Sequence, residues 1–395
     1  MMLIGIIGKT NVGKSTFFKA LTLANVEIAN RPFTTIKPNH GIGYIKIKCV
    51  CTDFNVKCNP KNSFCREGIR FVPVELLDVA GLVPGAHEGK GLGNKFLDDL
   101  RQADCFIHVL DISGTTNETG EATKGYDPIN DIKFLENEID FWFFDIVKRN
   151  WDKVVRLTQV THKEFERELA QQLSGLGIKS DDVLLAMRNA EIEGKMKIGD
   201  EELFKFSSML RKISKPMIIA ANKIDLPGAK ENFERIKNEF PIYKIVPCCA
   251  EAELALREAD KKGIIKYIPG ESDFEILKEE MSREQAAALE FIREKILNVY
   301  NSTGIQECLN SAVFELLHSL VVFPVEDENK LSDRTGRVLP DAYLMSKNST
   351  ALDLAFKIHT DIGKNFVAAI DCRTKRKIGK EYLLKNRDVL KIFTK

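Results

Sequence analysis

Apolar residues recur along this chain with two different spacings, and the alternation between them sets the first expectation of its fold. Short, nearly unbroken runs occur at Met2–Ile7, Val74–Ala80, Cys105–Leu110, Met217–Ala221 and Ile242–Val246. Runs of this length that stop at polar or glycine-rich turns are the pattern of buried strands. Helical spacing takes over from Ile129 to about Ser174, with Ile132, Leu135, Ile139, Phe143, Val147, Trp151 and Val154 on one stripe. Asp127 and Pro128 supply its N-cap and first-turn proline. Gly175–Gly177 is expected to break this helix, Ser180–Asp182 to cap a return segment, and a further helix to cover Asp200–Ile213.

The last third changes period again. Residues from Phe274 to Leu320 read as helical, with a capping box at Ser282–Gln285. Short strands follow at Leu320–Val325, within Gly336–Met345, at Phe366–Ile370 and at Val389–Phe393, around a capped helix at Ser349–His359. Strand, strand, helix, strands suggests a ubiquitin-like β-grasp domain. The expected fold class is therefore α/β, with residues 1–127 and 213–316 as a domain of buried strands and helices, 128–212 as a helical insertion and 317–395 as the β-grasp domain.

Composition narrows this picture. The chain has 395 residues, 29% charged and 44% apolar, ordinary for a water-soluble protein of two or three domains. No stretch approaches the ~18 consecutive apolar residues of a membrane span. The first apolar segment runs straight into a glycine turn, which excludes a signal peptide. Nine cysteines, an odd number, suggest a reducing cytoplasm. Net charge is +1, yet residues 318–395 carry +5 and the remainder −4, which points to a polyanionic partner at the C-terminal end.

The turn after the first run is Gly8-Lys9-Thr10-Asn11-Val12-Gly13-Lys14-Ser15, followed by Thr16 and an apolar helix. In a strand–turn–helix of this spacing, backbone N–H groups and the helix N-terminus converge on phosphate oxygens. Lys14 is expected to reach the β/γ-phosphates and Ser15 to ligate Mg²⁺. The second strand ends in Asp78-x-x-Gly81, placing Asp78 on Mg²⁺ through water and the Gly81 amide at the γ-phosphate. Another ends in Asn222-Lys223-x-Asp225, whose carboxylate can accept both N–H groups that guanine offers and adenine lacks. Cys249-Ala250, after the next strand, loosely fits the slot whose backbone N–H contacts the guanine O6. Four such segments in order, each at a strand end, identify a guanine-nucleotide P-loop domain. Between the first two, Thr34 and Thr35 both qualify as the threonine that ligates Mg²⁺ and holds the γ-phosphate.

The segments Pro32–Asn39 and Gly81–Phe96 resemble the Obg family of translation-associated GTPases. Gly41–Gly43, Asp127–Ile132 and the C-terminal region are similar to its YchF (Obg-like ATPase) subfamily, over nearly the whole chain. The resemblance implies that Thr35 is the Mg²⁺ ligand, that 128–212 is a coiled-coil arm and that 317–395 is a TGS domain. It also implies a ribosome or structured RNA as partner, with Arg373–Lys380 as a phosphate-contacting turn. Subfamily members described as ATPases carry Glu where this chain keeps Asp225, so GTP is expected over ATP. The alternatives are an ATP-preferring or dual-specificity enzyme of the same fold, and an RNA-binding assembly factor with a structural nucleotide. A monomer is expected.

Leu82 stands where a Ras-like enzyme has the glutamine that positions water. His87 is the candidate in its place, while His108, inside a strand, reads as a core residue. Asn11 has two readings, a K⁺ ligand beside the phosphates or a residue that stabilises the loop. Cys49, Cys51, Cys58 and Cys65 are spaced C-x-C-x₆-C-x₆-C in a polar loop. Free thiols rank first for them, with a disulfide or tetrahedral Zn²⁺ as alternatives, since structural zinc sites more often pair cysteines as C-x₂-C.

Overall fold

The first apolar run forms β1 (Leu3–Ile7), buried at all five positions: parallel strands flank it on both sides, and helical side chains such as Trp142 and Phe206 share a core cluster with its Leu3 and Ile7. In this computed structural model, residues 2–23, 39–79, 99–278 and 281–395 are described. β1 aligns Ile6 with Asp78 of β4 (Ile69–Asp78) and Ile7 with His108 of β5 (Cys105–Asp111). With β2 (His40–Lys48), β3 (Phe64–Arg66), β6 (Met217–Asn222) and β7 (Ile245–Pro247), the sheet order is β2-β4-β1-β5-β6-β7, and β3 pairs with β4. The β4, β1, β5, β6 and β7 strands run parallel, so their C-terminal ends share one edge. Loops leaving that edge are where ligands bind in such sheets. Here they carry Gly8, Asp78, Asp111 and Asn222.

The expected strand Ile242–Val246 is shorter and shifted, starting at Ile245. The preceding helical segment, Ala229–Glu239, is capped by Phe240, and the Tyr243 N–H donates to the Phe240 carbonyl at 3.1 Å, so residues 241–243 turn instead of pairing. Ile242 is accordingly 67% exposed.

Helix α1 (Lys14–Thr22) follows the phosphate-loop turn. Between β5 and β6 the chain forms α2 (Ile129–Thr161), α3 (Phe165–Gln172), α4 (Ser180–Asn189) and α5 (Asp200–Ser214). The long helix stops at His162, in the left-handed region at φ 56°, and not at Gly175. Phe165 then packs edge-on against Trp151, 4.8 Å between ring centroids, so the break folds an apolar residue back onto the stripe that precedes it. Trp142, Phe143, Trp151, Phe206 and Leu210 share one core cluster with Leu3, Ile7 and Phe106 of the sheet. After β6 come α6 (Ala229–Glu239), α7 (Ala250–Lys261), a short ribbon of β8 (Ile265–Lys266) and β9 (Glu275–Ile276), and α8 (Arg283–Ile292). Ser282 and Gln285 cap α8 reciprocally at 3.1 and 3.2 Å, as the capping box predicts.

Contacts divide the described residues into two compact units. One holds 2–23, 39–41, 75–79, 99–278 and 281–308; the other holds 42–74 and 309–395. In the second unit β10 (Ser319–Val325), β11 (Tyr343–Ser346), β12 (Phe366–Asp371), β13 (Lys377–Ile378) and β14 (Val389–Thr394) form a sheet of order β11-β10-β14-β12-β13. Its helix α9 (Ala351–Ile358) is capped by Thr350, whose hydroxyl accepts the Asp353 N–H at 3.2 Å. β10 pairs parallel with β14 and antiparallel with β11, the mixed sheet expected of a β-grasp domain.

Candidate functional site

Two glycines let the turn after β1 come close to its neighbours. A Cβ on Gly8 would lie 2.5 Å from the Val109 carbonyl oxygen, and one on Gly13, at φ 89°, would lie 2.4 Å from the Asn222 side-chain nitrogen. Only glycine fits either place. Lys14 and Ser15 open α1, and the Lys14 ammonium pairs with the Asp78 carboxylate at the end of β4. Ser15 is exposed on the same first turn, and Thr16 lines the adjacent cavity.

The other side chains of the loop face inward. Lys9 is buried, 2.7 Å from Asp131 in the first turn of α2, 2.9 Å from the Thr116 carbonyl oxygen and 4.2 Å above the Tyr126 ring. Its ammonium is thus a strut beneath the loop, and only its backbone remains to serve a phosphate. The Thr10 hydroxyl donates to the Thr119 carbonyl and the Asn11 amide to that of Gly120, each at 2.9 Å. Asn11 therefore pins the polar loop 113–121 against the turn. The bond gives the loop-stabilising reading a concrete contact.

The residues expected to read the base converge beside Gly13. Asn222 donates its amide to the Val12 carbonyl at 2.8 Å and accepts the Ala250 N–H at 3.0 Å, joining the phosphate turn to the start of α7. Lys223 adopts φ 63°, a left-handed conformation that costs a lysine about 1 kcal/mol or more. It directs the side chain along Asp111, 2.9 Å away. Burial opposes charge on Asp111, but hydrogen bonds from Ser113, Lys223 and Thr116 prevail and hold its carboxyl below the usual range. The Cys249 thiol donates to Asp225 at 3.2 Å, and burial first, then the Asp225 charge, pushes that thiol well up. Gly13, Asn222, Lys223, Asp225, Cys249 and Ala250 line a cavity of about 250 Å³.

Asp111 and Asp131 were not singled out by motif spacing. The sequence hint was Asp127–Asp131 at the head of α2, which the resemblance marked without a chemical role. His108 is 2% exposed, and burial, followed by the nearby Lys9 charge, lowers its pKa to about 3. It is a neutral core imidazole. Thr34, Thr35, Gly81, Leu82 and His87 lie outside the described residues. The four clustered cysteines come together in the second unit, with their sulfur atoms all within 4.8 Å of one another.

Ser15 and Asp78 offer hard oxygen donors on the first turn of α1 and at the end of β4, a set that suits Mg²⁺. Among the described residues no helix is long and apolar enough to cross a membrane.

Comparison with known proteins agrees with this arrangement. The family model of 50S ribosome-binding GTPases matches residues 3–143, and that of the Obg-like GTPase YGR210-like, G4 motif-containing domain matches 220–327. The TGS domain matches 335–394. An uncharacterized GTP-binding protein of Methanocaldococcus jannaschii is 54% identical over 393 residues, covering 99% of each chain. The ribosome-binding ATPase YchF of Buchnera aphidicola is 28% identical, over 98% of this chain and 97% of its own. The crystal structure of a GTP binding protein from Pyrococcus horikoshii superposes with a TM-score of 0.80 at 40% identity, covering 100% of both chains.

Proposed function

The chain belongs to the YchF-type branch of the Obg-like GTPases, and from that membership we propose that it hydrolyses GTP to GDP and phosphate with Mg²⁺, its nucleotide state governing attachment to the ribosome. The observation that carries this reading is the amide of Asn222, which ties the phosphate turn at Val12 to Ala250 beside the Asp225 carboxylate. One side chain thereby sets the distance between the phosphate-binding and base-reading ends of a single site.

Asp225 accepts the guanine N1–H and exocyclic amine, and the Lys223 stem and Ala250, whose N–H is held by Asn222, complete the base pocket. Lys14 and the N–H groups of Gly8–Thr16 hold the phosphates. Ser15, Thr35 and Asp78 are the residues to hold Mg²⁺, which when bound neutralises charge developing on the β- and γ-oxygens. Thr35 and the Gly81 amide serve as the switch contacts. His87 is the proposed group for orienting the attacking water, Leu82 having no polar atom for the task. Asn11 is the proposed K⁺ ligand if turnover is faster in KCl than in NaCl; equal rates leave it the loop-holding role.

The name of the Buchnera relative, a ribosome-binding ATPase, supports the ribosome as partner, and the basic TGS domain and the helical arm are the proposed contacts. The protein then works as a monomer in the cytoplasm. Calorimetry and turnover with GTP and ATP, each with and without ribosomes, test the whole proposal. Expected are GTP binding at least tenfold tighter than ATP and a turnover that ribosomes change. ATP binding as tight as GTP overturns the base assignment. Tight GTP binding without turnover, even with ribosomes, supports instead an assembly factor whose nucleotide is structural.

A further inference from the structure

We propose that Cys49, Cys51, Cys58 and Cys65 bind one zinc ion as a tetrahedral four-thiolate site. Tetrahedral zinc with Zn–S bonds of about 2.3 Å separates its sulfur ligands by about 3.8 Å. Here Cys49 and Cys58 sulfurs lie 4.0 Å apart, Cys51 and Cys65 sulfurs 3.9 Å apart, and all four within 4.8 Å of one another. Two separate disulfides would need two close pairs but no reason for the pairs to meet. A cluster with bridging sulfides needs more room than sulfurs this close leave.

The backbone is built to bring them together. Cys49 leaves the end of β2, and the short helix Val50–Thr52 carries Cys51 back beside it. Cys65 lies on β3, joined to β4 by the two-residue turn Glu67–Gly68, whose glycine carbonyl accepts the Cys49 N–H at 2.7 Å. Directly across the hairpin from Cys65 stands Arg70, fully buried; its Nη1 and Nη2 donate to the Ser63 hydroxyl and the Leu339 carbonyl at 2.9 Å each, and its Nε has no hydrogen-bond partner among the described residues. Zinc with four thiolates carries charge −2, and this guanidinium offsets part of it.

Few apolar residues hold this excursion: between Val50 and Phe64, only Val50 and Cys51 are buried. A segment with so little core is the kind that a metal stabilises. Cys58 and Cys65 are half-buried and border a cleft of about 520 Å³, which gives the ion a way in.

The test is elemental analysis of the full-length protein purified under reducing conditions without chelator, followed by cobalt exchange. One equivalent of zinc per chain, intense visible bands of tetrahedral cobalt thiolate, and nine free thiols after denaturation in chelator are expected. The Cys58→Ser variant should lose at least tenfold in zinc occupancy, whereas Cys372→Ser, outside the cluster, keeps one equivalent. Less than a tenth of an equivalent together with no cobalt bands, iron in place of zinc, or four thiols too few through disulfides overturns the assignment. The wild-type measurements stand even if Cys58→Ser fails to fold.

Discussion

Asp225 and His108 show how single side chains take their chemistry from their surroundings. Asp225 borders the cavity beside Gly13, next to Cys249. Under the proposed base assignment, replacing its carboxylate in Asp225→Asn swaps an acceptor for a donor facing the guanine amine. The unpaired polar groups that result cost about 2–3 kcal/mol. GTP affinity should fall roughly a hundredfold by calorimetry, while xanthosine triphosphate, with a carbonyl in place of the amine, should bind better than to wild type. Unchanged GTP affinity would remove Asp225 from the base pocket. His108, held neutral down to about pH 3, makes a different prediction. Its folded pKa is depressed below the unfolded value near 6.5, so its contribution to stability is complete above that pH and is lost as pH falls. Wild type should therefore lose stability relative to His108→Leu between pH 7 and pH 5, by about 2 kcal/mol at the lower end. A gap in Tm that stays constant with pH would show that His108 takes up its proton alike in the folded and unfolded chain, which would overturn its role as a neutral core group.

At the scale of elements, the helical insertion depends on a charged contact within its apolar interface. Arg211 on α5, 2% exposed, lies 2.6 Å from Asp140 and 3.4 Å from Glu136 on α2, and Ser208 donates to Asp140 at 2.7 Å. Removing one partner of a buried pair leaves the other charge without compensation, at a cost of about 3–5 kcal/mol. Arg211→Met should lower the unfolding midpoint followed by fluorescence of Trp142 and Trp151. Arg211→Met with Asp140→Leu should recover much of the loss, since the stranded carboxylate is gone. No recovery in the double variant would place the energy in packing of the arginine stem instead.

For the molecule as a whole, charge distribution is the property that bears on the partner. Arg376, Lys377 and Lys380 are exposed in and beside the turn between β12 and β13. Arg373, by contrast, is 2.7 Å from Asp53 and belongs to the internal structure of its unit. If this turn meets ribosomal phosphates, affinity falls with salt, and each phosphate contact contributes about 0.7–0.9 to the slope of log K against log salt. Arg376→Ala with Lys377→Ala should flatten that slope by roughly 1.5 and weaken ribosome binding in sedimentation, with GTP affinity unchanged. Identical slopes would place the contact elsewhere.

The sequence by itself determined the elements whose signals are local. The run Leu3–Ile7, the turn Gly8–Ser15 and the start of α1 are written in neighbouring residues, as are the capping boxes at Ser282 and Thr350. The order of phosphate turn, Asp78 and Asn222–Asp225 was legible for the same reason: each sits at the end of an apolar run. Tertiary structure decided the rest. It ended α2 at His162, where Phe165 turns back onto Trp151. It turned Lys9 inward onto Asp131, 122 residues away, because a buried ammonium needs a carboxylate. It joined residues 42–74 to 309–395, through contacts such as the Asn59 N–H to the Val338 carbonyl at 2.8 Å. It also brought four cysteines from a polar loop to one point. Backbone preference and turn chemistry act over a few residues. Charge pairing and metal geometry act across space, so spacing along the chain could only propose them.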